Sequence, residues 1–297
     1  MFTAPLSPTI DSAAAFAHRT TDRDTFIRSW QAAGAGRHFA SARLPHDHPF
    51  FPPSRDGRPD PLLLAESFRQ AGLVILHAGH DVPLDHVFLL GSLQYDYSMP
   101  VPDAQGGPCE LTLEVDTSRT TAREARVGKK RLDLIAWQDG RPVARGLIHC
   151  RVISPQIYAR LRGDRTAPRR SAQLPHLLAP RTVGRTDVAD VLLAPHGDEN
   201  TWQLSIDTSH STLFQSPKDH IPGMLLLEAG RQAAQAVQAP FPFLPTAADA
   251  TFHGYGEIDI PCRVTAEVLH ATPRSATTVR VECLQDDTPI FTATYSG

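Results

Sequence analysis

Two clusters of three polar residues recur in this 297-residue chain with the same internal spacing. Each cluster follows an apolar run and places Glu, Arg and Gln at positions i, i+3 and i+4. On a helix, this spacing puts the three side chains on one side, with the carboxylate one turn before the guanidinium and the amide. The members are Glu66, Arg69 and Gln70 in the first copy and Glu228, Arg231 and Gln232 in the second, 162 positions later.

Such a cluster could perform acid–base chemistry on an anionic substrate. A glutamate can serve as a general base when partial burial raises its pKa, and an arginine presents a planar fork that suits a phosphate. The same two residues could equally form an i,i+3 ion pair that locks a central helix, because duplication also repeats structural residues. We therefore take as candidate catalytic residues Glu66 and Glu228, and as candidate substrate-binding residues Arg69, Arg231, Gln70 and Gln232.

Three further candidate catalytic residues are histidines in the loops before the two clusters. His48 is matched by His210 at the same distance of 162 positions, whereas His220 falls opposite Arg58 and belongs to the second copy alone. A histidine in such a loop can act as a general base, but it can also serve as a capping or packing residue. Close to His220, Gly223 would let a ligand approach the backbone N–H groups that open a helix, and those groups could stabilise an oxyanion.

The elements that must position these residues are two long helices. Asp60 is a favourable N-cap, Pro61 suits the first helical position and Gly79 is a natural stop, which together predict the first helix. The second helix begins near Pro222 and ends before Pro240. The first helix is apolar on nearly all sides, so we expect it to be buried. A Glu or Arg there is costly unless it is paired or lies at a site.

Each predicted helix is followed by segments that alternate apolar and polar residues, as strands with one covered face do. A strand also precedes each helix, and Asp139-Gly140 indicates a hairpin turn. Each half is thus predicted to contain a strand, a long buried helix and an antiparallel meander. The predicted strands are 37–44, 87–90, 109–115, 131–137 and 143–148 in the first half, and 202–206, 250–253, 262–268, 278–283 and 290–295 in the second.

The domain organisation follows from the same repetition. We predict an N-terminal repeat at 17–153 and a C-terminal repeat at 181–297, joined by a linker at 154–180 that is rich in proline and arginine. The arginines could form a basic docking surface for an acidic carrier protein, but a solvated linker is the interpretation that we favour.

The composition narrows the class of protein further. A formal charge of −3 argues against nucleic acid as the main partner, and no segment is long and apolar enough to span a membrane. The N-terminus lacks the pattern of a signal peptide. The four cysteines are scattered without a CxxC pair, which predicts neither a disulfide framework nor a zinc site. We expect a cytoplasmic protein with no nucleic-acid or membrane partner and with no metal or other cofactor.

A long apolar helix with an antiparallel sheet resembles a hotdog domain, and two copies would give a tandem (double) hotdog protein of the α+β class. The chain is similar to the AfsA (A-factor biosynthesis) family of γ-butyrolactone synthases, from about residue 18 to the end. Segments 47–51, 60–72, 82–88 and 218–233 carry this resemblance. One departure from the family pattern is Gly230, where the resemblance leads us to expect Ala. A glycine inside a helix weakens it by ~1 kcal/mol relative to alanine.

The resemblance implies a role in γ-butyrolactone-type signal biosynthesis. The implied reaction transfers a 3-oxoacyl group from an acyl carrier protein thioester to the hydroxyl of dihydroxyacetone phosphate. Two alternatives stay open. The first alternative is a dehydratase or thioesterase, because the start of the second helix also resembles hotdog 3-hydroxyacyl dehydratases. The Arg beside the Glu favours the acyltransferase over this alternative, since a neutral 3-hydroxyacyl chain needs no cation. The other is a non-catalytic acyl or butyrolactone sensor, for which the polar clusters have no obvious use.

Overall fold

The computed structural model describes residues 13–98, 107–119, 127–171, 176–272 and 275–297. The chain divides into two compact units, Met1–Leu161 and Arg162–Gly297, and the division falls inside the predicted linker. Each unit contains one long buried helix and an antiparallel sheet, as predicted. None of the described helices combines the length and the hydropathy that a membrane span requires.

The N-terminal unit builds its sheet from six strands in the order β1-β2-β4-β5-β6-β3, all antiparallel to their neighbours. Its elements are α1 (Ala13–Phe16), β1 (Ile27–Gly34), β2 (Arg37–Leu44), α2 (Pro61–His80), β3 (Val87–Tyr97), β4 (Cys109–Asp116), β5 (Gly128–Gln138) and β6 (Arg141–Ile153). A short helix, α3 (Pro155–Arg162), follows β6 and ends at the boundary between the units.

Helix α2 begins as predicted and ends slightly later. The carboxylate of Asp60 accepts a hydrogen bond from the Leu62 N–H at 2.7 Å, and Pro61 occupies the first position. The predicted stop at Gly79 is wrong, because the helix continues to His80 and Asp81 takes the left-handed conformation at the C-cap. Gly79 has a packing role instead, since a Cβ there would lie 3.2 Å from the His38 ring.

The C-terminal unit repeats this plan with shorter strands before its helix. Its sheet has the order β9-β12-β11-β10-β8-β7, again antiparallel throughout. The elements are β7 (Leu193–Pro195), β8 (Thr201–Leu204), α4 (Gly223–Gln238), β9 (Ala247–Phe252), β10 (Arg263–Thr272), β11 (Ser275–Gln285) and β12 (Thr288–Ser296). The predicted strand at 202–206 is therefore too long at its C-terminal end.

The hairpin turns of the two units confirm the turn prediction. Asp139 and Gly140, between β5 and β6, both have positive φ angles, 50° and 75°. Asp286 and Asp287 do the same between β11 and β12, with φ angles of 47° and 59°. Paired positive φ values belong to the tight two-residue turns whose twist matches that of the flanking strands.

The two units fill the space between helix and sheet in reciprocal ways. In the N-terminal unit, the large Phe68 of α2 packs over Gly146 of β6, where a Cβ would lie 2.6 Å from the Phe68 ring. In the C-terminal unit, the small residue is Gly230 of α4, and the large one is Tyr295 of β12, which donates a hydrogen bond to the Leu227 carbonyl at 2.7 Å. A Cβ at Gly230 would lie 2.9 Å from the Tyr295 ring. The glycine that departs from the expected Ala thus has a packing reason.

Candidate functional site

The predicted cluster on α2 is an ion-pair network around the fully buried carboxylate of Glu66, with arginines that are partly exposed. Arg69 donates through Nε to Glu66 Oε2 at 2.7 Å and through Nη2 to Oε1 at 2.7 Å. Arg19 approaches from the other side and donates through Nε to Glu66 Oε1 at 3.0 Å. Gln70 donates to the same oxygen at 2.8 Å. Glu66 is therefore held between two guanidiniums and an amide.

The cluster on α4 repeats this network group by group. Arg231 donates to both carboxylate oxygens of Glu228 at 2.7 and 2.8 Å, Arg185 donates through Nε at 2.8 Å, and Gln232 donates at 2.6 Å. Arg19 and Arg185 were not among the predicted site residues. A signal was present, because His18-Arg19-Thr20 is echoed by Gly184-Arg185-Thr186, but at a different offset from the helices.

The electrostatics of both glutamates favour the ion-pair alternative. Burial by itself raises the pKa of the Glu66 carboxyl, but the charges of Arg19 and Arg69, with the hydrogen bonds that Arg69 and Gln70 donate, outweigh it and lower the pKa to about 2. The charges of Arg185 and Arg231 and the hydrogen bonds they donate likewise outweigh burial and lower the pKa of Glu228 to about 2. A carboxylate this stable as an anion, and fully buried, is a poor base at neutral pH. The prediction that these residues are catalytic receives no support from these contacts.

The amides of the clusters tie the helices to the chain that enters the sheet. Gln70 donates to the Asp24 carbonyl at 2.7 Å and accepts from the Phe26 N–H at 2.8 Å. Gln232 makes the equivalent pair, to the Asp190 carbonyl at 2.7 Å and from the Leu192 N–H at 2.8 Å. Each amide thus satisfies buried backbone groups, a role that favours structure over substrate binding.

His48 and His210 also have equivalent contacts in the two units. His48 Nδ1 accepts hydrogen bonds from the N–H groups of Phe50 and Phe51, both at 3.2 Å. Because Nδ1 is an acceptor, the ring carries its proton on Nε2, which faces Asp24 Oδ1 at 3.2 Å. His210 repeats the arrangement. These contacts favour the capping alternative for both histidines.

His220 has a different environment. Its Nδ1 lies 2.7 Å from Asp219 Oδ1, and its ring forms a T-shaped contact with Tyr255, with 5.2 Å between the ring centroids. Its side chain is 28% exposed, whereas His48 and Glu66 are buried. An imidazole oriented by a carboxylate and open to solvent is the arrangement that a general base requires.

His220 lies two residues before the N-cap of α4, and this helix start is open. The N-cap is Pro222, which offers no side-chain acceptor to the first-turn N–H groups, and Pro222 and Gly223 are half-buried. The partial positive charge of a helix N-terminus favours an anion at such a place. Among the predicted site residues, His220 and Gly223 are thus partly exposed and lie three positions apart at the start of α4.

The predicted solvated linker is wrong for Arg162, Arg165 and Arg169, whereas Arg160 and Arg170 are exposed. Arg162 is buried and donates to Asp219 Oδ2 at 3.1 Å and to both oxygens of Glu257 at 2.6 and 3.0 Å. Arg165 and Arg169 form ion pairs with Asp259 at 3.0 and 3.1 Å. The residues that bind these arginines are distant in sequence, so the local composition gave no sign of them.

Comparison with known proteins identifies the hotdog fold that the sequence predicts and relatives that are named as synthases. The sequence model of a family described as the A-factor biosynthesis hotdog domain matches residues 3–154 and 166–297, which confirms the tandem hotdog prediction. A relative from Streptomyces coelicolor is 42% identical over 283 residues, covering 95% of this chain and 90% of its own. One from Streptomyces griseus is 40% identical over 282 residues, covering 94% and 93%. Both are named 2-oxo-3-(phosphooxy)propyl 3-oxoalkanoate synthase.

Solved structures are similar at the level of the fold. A protein from Lactobacillus plantarum described as an oleoyl thioesterase aligns with a TM-score of 0.56 at 12% identity, covering 89% of this chain and 96% of its own. A 12:0-ACP thioesterase from Umbellularia californica aligns with a TM-score of 0.52 at 7% identity, covering 89% and 94%. At these identities the likeness concerns the backbone, and the site must be argued from its own side chains.

Proposed function

This chain belongs to the AfsA family of A-factor biosynthesis hotdog proteins, and on that premise we propose that it is an acyltransferase. The proposed reaction moves a 3-oxoacyl group from an acyl carrier protein thioester to the hydroxyl of dihydroxyacetone phosphate. The observation that carries the proposal is the name of the relatives at 40–42% identity over nearly the whole chain, because that name describes the ester which this reaction forms.

We assign the general base to His220. Its Nε2 accepts the proton of the acceptor hydroxyl while the hydroxyl oxygen attacks the thioester carbonyl carbon. Asp219 fixes the ring through Nδ1 at 2.7 Å and stabilises the imidazolium that forms. When the C–S bond breaks, the same proton passes to the departing thiolate. The products are the ester and the free thiol of the carrier.

The start of α4 supports the second requirement of acyl transfer. As the hydroxyl attacks, the carbonyl oxygen becomes an oxyanion, and backbone N–H groups aimed at that position lower the barrier. The half-buried turn at Gly223, without a side-chain cap, supplies such groups close to His220. This assignment retains the predicted role of Gly223 as a site of close ligand approach.

The two Glu–Arg–Gln clusters then have a structural role. Arg69 and Arg231 each use two nitrogen atoms on their own glutamate, so a phosphate would have to break a buried ion pair to bind there. We therefore propose that the clusters hold each central helix to the segment that enters its sheet, and that the chemistry depends on the loop before α4.

The experiment combines the purified protein with a 3-oxoacyl carrier protein thioester and dihydroxyacetone phosphate, and follows the phosphorylated ester by mass spectrometry. We expect ester formation that depends on both substrates. His220→Ala should lower kcat by about 10²- to 10⁴-fold, the usual contribution of a general base. Arg58→Ala, at the equivalent position of the N-terminal unit, is the matched control and should keep wild-type turnover.

Other outcomes would favour the remaining alternatives. Release of free 3-oxo acid without need of the acceptor would indicate a thioesterase, and loss of water from a 3-hydroxyacyl thioester would indicate a dehydratase. Tight binding of an acyl thioester or butyrolactone with no turnover would indicate a sensor. Any of these results, with no ester formed, would overturn the proposed function.

A further inference from the structure

Arg162 connects the predicted linker to the candidate base. It is the last residue of α3, and its side chain is only 3% exposed. Through Nε it donates to Asp219 Oδ2 at 3.1 Å, and through Nη2 it donates to the Asp219 backbone carbonyl at 2.9 Å. Two donors thus hold both the carboxylate and the main chain of the residue that orients His220.

The other contacts of Arg162 fix the guanidinium itself. Glu257 accepts from Nη1 at 2.6 Å and from Nη2 at 3.0 Å, a bidentate pair that sets the plane of the fork. The guanidinium carbon lies 4.5 Å from the centre of the Tyr255 ring, in a cation–π contact. Tyr255 in turn forms a T-shaped contact with His220, so Arg162 supports the imidazole by two routes, through Asp219 and through Tyr255.

We infer that Arg162 is a positioning residue for acyl transfer, held by Glu257 and acting through Asp219 on His220; the inference rests on the proposed function of His220. Because Arg162 occupies one oxygen of Asp219, it leaves the other directed at His220 Nδ1. Lysine could not replace it, since one ammonium cannot present the planar fork that binds Glu257 and Asp219 together.

Arg165 provides the matched comparison. It lies three residues later and also donates to Glu257, at 3.0 Å, and to Asp259, at 3.0 Å. The contacts described for Arg165 include neither Asp219 nor His220. Arg162→Gln and Arg165→Gln therefore each remove one positive charge and an ion pair with Glu257, bidentate for Arg162 and single for Arg165, while only the first removes the support of Asp219.

The first test measures ester formation by the full-length variants. For Arg162→Gln we expect kcat to fall roughly 100-fold, the order of effect that follows from a misplacement of about 1 Å at a reacting group, with KM for the acceptor nearly unchanged. The acid limb of its pH–rate profile should move to higher pH, because a positive charge near the base is gone. Arg162→Lys should recover only part of the rate, and Arg165→Gln should match wild type.

The second test does not need activity. The imidazole nitrogen signals of His220, assigned by their loss in His220→Gln, are titrated by NMR in wild type and in both arginine variants. We expect a changed titration in Arg162→Gln and none in Arg165→Gln. If wild type forms no ester, the proposed function fails while this comparison still decides the positioning role. A folded Arg162→Gln protein with unchanged His220 signals would overturn the inference, and Arg162→Lys replaces it in both tests if Arg162→Gln does not fold.

Discussion

The two central helices begin in opposite ways, although the chain repeats around them. Helix α2 starts with Asp60, a buried carboxylate that accepts from the Leu62 N–H at 2.7 Å and so occupies the positive end of the helix. Helix α4 starts at Pro222 with no side-chain cap, and His220 stands close before it. The Asp60 carboxylate occupies the first of these helix starts, so of the two we assign the proposed oxyanion site to the second.

The polar contacts that the two units share are ones that hold the fold together. Both units have a glutamate between two arginines and a glutamine, and both have a loop histidine that accepts from two backbone N–H groups. We therefore interpret the features repeated within the chain as scaffold, and the departure from repetition as the place of the proposed site. The counterpart of His220 in the first copy is Arg58. We base the proposed site on this difference and not on the repeated clusters.

The largest effect that would test this division comes from the buried glutamates. Glu228→Ala should lower the free energy of unfolding by about 3–5 kcal/mol, because it removes the carboxylate that binds the buried Arg185 and Arg231. Glu66→Ala should lower it by less, because Arg19 and Arg69 keep partial contact with solvent. Urea unfolding monitored by circular dichroism measures this. Glu110→Ala is the control, since its pair with Arg43 is exposed and contributes about 0–1 kcal/mol. Near-normal stability with lost turnover would reverse our assignment of the clusters.

The reciprocal packing of the units gives a second, smaller effect. Helix propensity predicts that Gly230→Ala stabilises α4 by ~1 kcal/mol, but the added Cβ would lie 2.9–3.0 Å from ring atoms of Tyr295. We expect a net destabilisation of about 1–3 kcal/mol, the usual cost of overpacking, in thermal unfolding. In a Tyr295→Val background, the sign of the Gly230→Ala effect should reverse. Stabilisation in the wild-type background would contradict the packing account.

Much of the fold was predictable because it depends on local patterns. The apolar runs, Asp60 with Pro61, and the paired turn residues each act over a few positions. Strand β1 was missed because its pairing with β2 contains two register irregularities, which break the alternation that signals a strand. The predicted end of α2 was wrong because Gly79 is required for packing against His38 of strand β2, a contact that the local sequence does not show.

The candidate site was only partly predictable. His220 and Gly223 were visible because they stand beside the helix motif. Arg162 was not, because it contacts Asp219 across 57 positions and lies in a segment whose composition is typical of a solvated linker. The surroundings of Glu66 were also only partly predictable, since the sequence could place Arg69 on the same helical face but could not place Arg19 on the opposite side of the carboxylate.

Exchanging the two helix starts gives a third prediction. Asp60→Ala should cost about 1 kcal/mol of stability through loss of the N-cap and leave turnover unchanged. The reverse substitution, Pro222→Asp, supplies α4 with a carboxylate at its open start. We expect it to lower kcat, since a fixed negative charge would repel the oxyanion, without loss of stability. Ester formation and urea unfolding together distinguish these effects. Unchanged turnover in Pro222→Asp would exclude this helix start as the oxyanion site.

The smallest predicted effect is a difference between the two units in how their stability depends on pH. Burial lowers the pKa of His38, His77 and His80 near the end of α2, and the charge on a neighbouring group lowers each further: His80 for His38, His86 for His77 and Lys130 for His80. Asp116 opposes the shift at His38, Asp81 opposes it at His80, and the Val82 carbonyl opposes it at His77. The positions 162 residues later hold residues that do not titrate, namely Asn200, Ala239 and Pro242.

A histidine whose pKa is lowered by folding binds more protons in the unfolded chain, so stability falls as the pH drops through the unfolded value of 6.5. We therefore expect α2 to open more readily at pH 5.5 than at pH 7.5, and α4 to change less. Hydrogen exchange of peptides from 61–80 and 223–238, corrected for intrinsic rates, measures the two helices in one sample. His38→Gln should reduce the difference between the two helices, because the variant lacks one of the groups that take up a proton on opening. An equal response of the two helices to pH would contradict the assignment of the acid sensitivity to these three rings.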